Sequence, residues 1–90
     1  MPLTIRQATR FRRDVKRLRR QGVDLAKLQV VVVTLAAQEP LDEKYRDHAL
    51  VGNWRGFREC HIQPDWLLIY RVESEELQLA RTGSHAELFG

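Results

Sequence analysis

The chain has 90 residues, of which 43% are hydrophobic and 30% are charged, with 5 glycines and 3 prolines. This composition is typical of a folded protein and excludes a disordered, collagen-like or low-complexity chain, and its length leaves room for one domain, residues 1–90. The net charge of +3 is uneven, because residues 1–22 hold eight basic residues and one acidic residue. This positive segment indicates either a polyanionic partner or a solvated helix face.

The sequence also limits where the protein works. Its longest apolar stretch, residues 28–37, is about half as long as a membrane-spanning helix must be. The first residues carry charges where a secretory signal would need an apolar segment. Cys60 is the single cysteine, so neither an internal disulfide nor a cysteine-based zinc site is expected. We therefore expect a cytoplasmic protein with no contact to a membrane.

The first half of the chain predicts a short strand followed by a helix. Leu3 and Ile5 alternate with polar residues, which is weak support for a strand. Thr9 is a candidate cap for the helix, and Gly22 is well placed to end it. Between them, apolar residues recur every three or four positions, at Ala8, Phe11, Val15 and Leu18.

A second helix is expected between Asp24, a candidate cap, and Pro40, which would stop it. The β-branched run at residues 30–34 favours a strand instead. We favour the helix because cap, stop and stripe agree, the stripe being Leu25, Leu28, Val32 and Leu35. Two helices joined by a short link would form a hairpin.

The second half predicts a loop and then three strands. Residues 41–56 have the mixed pattern of a loop, and strand patterns follow at residues 55–62, 66–72 and 77–82. The middle strand is apolar on both faces, as a central strand should be. The predicted order is β-α-α-β-β-β, a two-layer α+β fold with an antiparallel sheet packed against a helical hairpin. Residues 84–90 are predicted to form a short tail.

Three histidines, His48, His61 and His85, all fall in or beside predicted turns and strand ends. Such positions let a side chain meet a ligand, and an imidazole can both take and give a proton near neutral pH. Each histidine taken alone is more easily explained as a structural residue. Their spacings contain no close pair of the HxxxH kind, so we expect no metal site and no cofactor.

Four further residues are candidates with two readings each. Asp65 could orient an imidazole or serve the turn that begins at Pro64. Trp66 could stack on a base or belong to the core, and Phe89 could stack on a base or latch onto the core. Arg81 extends a strand face and could clamp phosphate, as arginine does with two hydrogen bonds.

The second half of the chain resembles a known family. The matching motifs are DHxL at residues 47–50, GxWxGxRxxH at 52–61, PDWxLIY at 64–70 and RTGxHxxLF at 81–89. Together they resemble the YafQ branch of the RelE/ParE superfamily of bacterial type II toxins. The resemblance is continuous over residues 45–90, whereas the first half matches only in its pattern of a strand and two helices.

The resemblance implies an endoribonuclease that cleaves mRNA in the ribosomal A site and is held inactive by a cognate antitoxin. It also implies an active site in which His85 is the principal general acid. The positions that match the family's site are His48, His61, Asp65, Trp66, His85 and Phe89.

Metal-free RNA cleavage needs a base for the 2′-hydroxyl, an acid for the departing 5′-oxygen and positive charge at the phosphate. His85 is expected as the acid, and His48 or His61 as the base, with Asp65 orienting a histidine or the RNA backbone. Arg81 or a protonated histidine could supply the charge, while Trp66 and Phe89 could hold bases.

Two other functions compete with this one. A gyrase-inhibiting toxin of the ParE branch would share the fold but would not need the histidines. A basic RNA- or ribosome-binding domain would depend on the arginine-rich first helix, with Lys16, Arg17 and Arg20 as its contacts, and its histidines would be structural. The first helix could also serve rRNA or an acidic antitoxin segment alongside the nuclease activity.

Overall fold

The computed structural model describes residues 1–90 and contains three helices and one five-stranded sheet. The strands are β1 (Thr4–Gln7), β2 (His48–Ala49), β3 (Arg58–Gln63), β4 (Trp66–Glu73) and β5 (Glu76–Gly83). The helices are α1 (Thr9–Arg20), α2 (Ala26–Ala36) and α3 (His85–Phe89). Two short 3-10 turns, Glu43–Tyr45 and Gly52–Trp54, lie on either side of β2. This arrangement is the predicted α+β fold.

Helices α1 and α2 form the predicted hairpin. The strand alternative for residues 30–34 is therefore wrong, because burial of Leu28 and Val31 against the sheet outweighs the low helix propensity of valine. Asp24 accepts a hydrogen bond from the Ala26 N–H at 3.0 Å and so satisfies one free donor at the start of α2. The expected cap at Thr9 is wrong. Thr9 lies inside α1, and the residue before it, Ala8, donates its N–H to Leu79 O of β5.

The sheet has the strand order β1-β5-β4-β3-β2, and the meander of β3, β4 and β5 is antiparallel as predicted. Strand β1 joins the edge and runs parallel to β5. Two-residue turns connect the meander, Pro64-Asp65 between β3 and β4 and Ser74-Glu75 between β4 and β5. Both residues of the second turn have positive φ, as a tight hairpin turn of type I′ requires.

Strand β4 is covered on both faces, as its apolar sequence predicts. Trp66, Leu68 and Tyr70 pack beneath the two long helices in the main core. Leu67 and Ile69 face the other way and pack against Leu88 of α3, with Leu50, Trp54 and Phe57 beside them. The residues before β3 and the residues after β5 thus meet on this second face.

The expected loop and tail both contain structure that the sequence analysis missed. The loop includes β2, a two-residue strand that pairs with β3, and the tail folds as α3. Ser84 accepts a hydrogen bond from the Glu87 N–H, and Glu87 in turn accepts one from the Ser84 N–H. This reciprocal capping box fixes the start of α3 and therefore the position of His85. No helix in the protein has the length and apolar character needed to cross a membrane.

Candidate active site

The three histidines and Phe89 lie in one row across an edge of the molecule. Ring centroids are 6.2 Å apart for His48 and His61, 5.9 Å for His61 and His85, and 6.5 Å for His85 and Phe89. Residues 41 positions apart in the chain therefore form one cluster, because β2 pairs with β3 and α3 follows β5 beyond the end of β4. Such a row can contact one segment of an extended ligand.

His85 is held by Asp65. The carboxylate Oδ1 accepts hydrogen bonds from the His85 main-chain N–H at 3.0 Å and from ring Nδ1 at 2.7 Å. The main-chain bond and then the ring bond lower the pKa of Asp65, so this carboxyl stays ionised. A carboxylate on Nδ1 fixes the proton there and leaves Nε2 free to exchange a proton with a ligand.

His48 is held by the chain that precedes it. Its Nδ1 lies 2.8 Å from the carbonyl oxygen of Arg46, which can only accept, so Nδ1 carries a proton. Asp47 ties the same segment to the sheet, because its carboxylate accepts hydrogen bonds from Tyr70 Oη at 2.8 Å and Arg58 Nε at 3.2 Å. The His48 ring therefore lies on an anchored segment, and its Nε2 lies 3.3 Å from Glu59 Oε2.

Glu59 joins His48 to His61. It pairs with His48 across the two strands and lies two residues before His61 on the same face of β3. Its Oε2 is 3.3 Å from His48 Nε2 and 3.5 Å from His61 Nε2, and the residue is only 6% exposed. The three side chains offer ligand atoms within 4.8 Å of one another. Two imidazoles and a carboxylate are suitable ligands for Zn²⁺ or Cu²⁺.

A network of ion pairs centred on the buried Asp14 links α1 to β5 and α3. Asp14 of α1 is 2% exposed and accepts hydrogen bonds from Arg81 at 2.7 and 3.0 Å, from Arg17 at 2.8 Å and from the Thr82 N–H at 3.1 Å. Burial alone would raise the pKa of Asp14, but the bonds from the two arginines outweigh it and the pKa is lowered. Arg17 Nε also lies 2.8 Å from Glu87 Oε2. The network therefore connects α1 to the capping box of α3.

The whole chain matches one protein family. Residues 3–90 match the sequence model of a family described as the bacterial toxin of type II toxin-antitoxin systems, YafQ. The chain belongs to this YafQ family. The first half, which the sequence analysis related to the family only by pattern, lies within the match.

Individual YafQ relatives agree with the family match. The mRNA interferase toxin YafQ of Escherichia coli strain K12 is 39% identical over 96% of this chain and 95% of that protein. Among solved structures, YafQ in the E. coli DinJ–YafQ toxin–antitoxin complex has a TM-score of 0.91 and 37% identity over all of both chains. A metal-bound toxin from Helicobacter pylori has a TM-score of 0.91 and 47% identity over 97% of this chain and 99% of that one.

Two of the residues expected to contact RNA in this YafQ-family toxin are not available for it. Trp66 is only 6% exposed, and its Nε1 donates to Thr82 Oγ1 at 2.9 Å, so its ring belongs to the core and offers no face to a base. The Arg81 side chain is 11% exposed and gives two hydrogen bonds to Asp14 beneath α1, so it does not clamp phosphate. Phe89, at 47% exposure beside His85, keeps an accessible ring.

Three residues that shape the candidate site, Glu59, Ser84 and Glu87, were not among those expected from the sequence. The spacing of the histidines along the chain did not reveal the possible metal-binding group of His48, Glu59 and His61, because that group depends on the pairing of β2 with β3. The sequence could have indicated Glu59, because residues two positions apart on a strand share a face and Glu59 lies two positions before His61. The motif Ser84-x-x-Glu87 was likewise a readable capping box.

Proposed function

We propose that this YafQ-family toxin is an endoribonuclease that cleaves mRNA by metal-independent acid–base catalysis with histidines. The observation that carries the proposal is the row of three imidazoles, with neighbouring ring centroids 5.9 and 6.2 Å apart and Phe89 at its end. The names of the relatives favour this function over gyrase inhibition, because the curated E. coli protein is an mRNA interferase.

His85 is the proposed general acid. Protonated on both nitrogens, it would donate from Nε2 to the departing 5′-oxygen, while Asp65 at 2.7 Å from Nδ1 stabilises the imidazolium before the transfer. A positioned general acid accelerates such a step by roughly 10²–10⁴-fold.

His61 is the proposed general base, because its ring lies next to His85 and between the other two histidines. It would take the proton of the 2′-hydroxyl, and Glu59 at 3.5 Å would stabilise the resulting imidazolium. His48 remains the alternative base. If His61 is the base, a protonated His48 would supply positive charge at the phosphate, with Arg46 O and Glu59 as acceptors for its two nitrogens.

The proposed reaction conserves atoms and charge. The 2′-oxygen forms a bond to the adjacent phosphorus, its proton passes to the base, the bond from phosphorus to the 5′-oxygen breaks, and His85 protonates that oxygen. The products are a 2′,3′-cyclic phosphate and a 5′-hydroxyl. Phe89 would stack on a base and help to align the 2′-oxygen with the leaving group.

A metal is not needed for these steps, although His48, Glu59 and His61 have the right chemistry to hold one. A bound Zn²⁺ or Cu²⁺ would act as a Lewis acid at that position. It would also occupy imidazole nitrogens that the proposed proton transfer uses. A chelator should therefore abolish cleavage that depends on such a metal and leave metal-free cleavage unchanged.

The proposed partners are a cognate antitoxin and the ribosome. A homologous YafQ forms a complex with the DinJ antitoxin, so we infer an antitoxin here too. Helix α1 exposes six basic residues with no ion-pair partner, Arg10, Arg12, Arg13, Lys16, Arg19 and Arg20. These suit rRNA phosphates. Arg17 does not belong to this surface, since it is bound to Asp14 and Glu87.

The proposal is tested by mapping cleavage on one mRNA in a translating extract, with and without ribosomes. The wild-type toxin should produce fragments with 2′,3′-cyclic phosphate and 5′-hydroxyl ends, and His85→Ala should reduce cleavage by about 10²-fold or more. Cleavage by His85→Ala at the wild-type rate would remove the assigned acid. A different end chemistry would reject the mechanism.

A further inference from the structure

A groove opens beside His61, and basic residues line it. It has a volume of about 650 Å³ and lies between α2, the 3-10 turn before β2 and the end of β3. Its cations are Lys27, Lys44 and Arg46, and Tyr45 provides an aromatic wall. No carboxylate lines the groove. The cavity is therefore electropositive and continuous with the row of histidines.

The three cations have no acidic partner within the protein. None of them makes an ion pair, and all three are exposed. Lys27 lies in the first turn of α2, where a positive charge opposes the helix dipole and so does not serve the helix. The amine of Lys44 lies 5.2 Å from the centre of the Tyr45 ring. The chain thus places uncompensated positive charge where folding does not require it.

Arg46 connects this groove to the catalytic row. Its backbone is in the left-handed region, with φ of 49°, an uncommon conformation for a residue other than glycine. In this conformation its carbonyl oxygen accepts the hydrogen bond from His48 Nδ1, while its side chain lines the groove. One residue therefore both orients a histidine and contributes to the basic wall.

We propose that this groove binds the single-stranded RNA backbone next to the scissile phosphate, with Lys27, Lys44 and Arg46 contacting successive phosphates and Tyr45 contacting the intervening nucleotide. The proposal rests on the proposed nuclease function and adds the path that the substrate takes. RNA is favoured over an acidic protein segment because the groove leads directly to His61, where a scissile phosphate would lie.

The test measures binding of a short 2′-O-methyl RNA, which lacks the nucleophile and stays intact, to the full-length toxin at several salt concentrations. The groove variant is Lys27→Gln/Lys44→Gln. The matched control, Arg6→Gln/Arg55→Gln, removes the same charge from exposed positions outside both the groove and α1. Binding to single strands weakens with salt by about 0.7 in log–log slope for each phosphate contact.

We expect the groove variant to lower the slope by about 1.4 and to weaken binding about tenfold or more at low salt, while the control retains the wild-type slope. Replacing single phosphates by uncharged methylphosphonates should locate the contacts, and the groove variant should no longer respond to the replacement that affects the wild type. Circular dichroism and urea unfolding check that each variant is folded.

Three outcomes would overturn the groove proposal. Unchanged RNA binding by the groove variant is one, and equal weakening of both variants, which indicates a net-charge effect, is the second. The third is a groove variant that loses wild-type binding to a poly-glutamate peptide but still binds RNA. The groove would then fit an acidic protein segment. Failure of the nuclease proposal is separate, because it is measured by product ends from unmodified RNA with the wild-type toxin.

Discussion

The proton on His85 Nδ1 is held in place by one carboxylate, and this makes Asp65 the most informative single residue of the site. In Asp65→Asn the amide has no charge with which to stabilise the imidazolium, so we expect kcat to fall about 10–100-fold with KM little changed. The effect should be smaller than in an enclosed site, since Asp65 is exposed. Single-turnover formation of the cyclic phosphate measures it.

Asp24→Asn is the control for this substitution. Asp24 is also exposed and also accepts a main-chain hydrogen bond at 3.0 Å, but it lies at the start of α2 and bonds to no histidine. Its variant should retain wild-type kcat. Wild-type kcat in Asp65→Asn as well would mean that Asp65 serves only its turn.

Asp14 is the residue whose loss should cost most stability. Asp14→Asn leaves Arg17 and Arg81 without their shared carboxylate in a poorly hydrated position, which should lower the free energy of unfolding by about 3 kcal/mol at pH 7. Because the pKa of Asp14 is lowered on folding, its contribution is present above about pH 4 and is lost as the pH falls through the folded-state value.

The difference between Asp14→Asn and the wild type should therefore shrink on acidification. Urea unfolding at pH 7 and at pH 3 measures this change. Asp24→Asn should stay within about 0.5 kcal/mol of the wild type at both values. A difference that is independent of pH would show that the ionised carboxylate is not the stabilising form.

The possible metal-binding group of His48, Glu59 and His61 allows metal-free and metal-dependent catalysis to be distinguished by experiment. If the imidazoles act without a metal, a chelator that removes transition metals but leaves ribosomal Mg²⁺ in place should not change the cleavage rate. The measurement compares cleavage before and after treatment, with added Zn²⁺ as the reversal step. Loss of activity restored by Zn²⁺ would contradict the acid–base mechanism.

At the scale of elements, α3 carries His85 and Phe89 on only five residues. A helix this short is not stable alone, so the capping box and the contact with Arg17 hold it. Glu87→Ala removes the hydrogen bond from the Ser84 N–H and the ion pair with Arg17, but keeps the main-chain bond to Ser84, and should cost about 1 kcal/mol locally. We expect cleavage to fall severalfold while the urea midpoint changes little.

Hydrogen exchange of the Leu88 and Gly90 amides provides the structural readout, because both donate within α3. These amides should exchange faster in Glu87→Ala. Glu39→Ala, which replaces an exposed glutamate without an ion pair, serves as the control. Unchanged exchange together with lost cleavage would assign Glu87 a direct role instead.

The spacing of apolar residues along the chain predicted most helices and strands. The features that it missed depend on contacts between residues far apart in the sequence. Apolar spacing was sufficient for α1, α2 and the three strands of the meander. Strand β2 has two residues and exists only because β3 offers it an edge, so no pattern within it could reveal it. The same limit applies to the site: Arg81 looked free because its partner, Asp14, is 67 positions away.

For the whole molecule, the family resemblance added what residue patterns could not. The family match confirms the toxin family, while the roles of His48, His61, Asp65, His85 and Phe89 remain predictions that the row of rings supports. Charges alone left the choice between a nuclease and a basic binding domain open. The structure shows which arginines are held in ion pairs, Arg17 and Arg81, and which are exposed on α1.

The exposed arginines of α1 should control association with ribosomes. In Arg12→Gln/Arg13→Gln/Arg20→Gln, co-sedimentation with ribosomes should weaken, and its dependence on salt should become shallower by about 0.9 in log–log slope for each lost phosphate contact. The control Arg6→Gln/Arg55→Gln removes two exposed charges from outside α1 and should sediment like the wild type. A slope that stays unchanged in the triple variant would reject α1 as a ribosome contact.

The parallel pairing of β1 with β5 affects how the toxin is made. Thr4 aligns with Glu76, so the sheet's edge joins residues separated by more than seventy positions. Pairing of that kind is slow and must wait for the later strand to be synthesised. The helix bearing His85 follows β5 in the chain. The segments β1, α1 and α2 are therefore synthesised well before the nascent chain can bring the three histidines together, and the row of rings can form only after synthesis has passed Phe89.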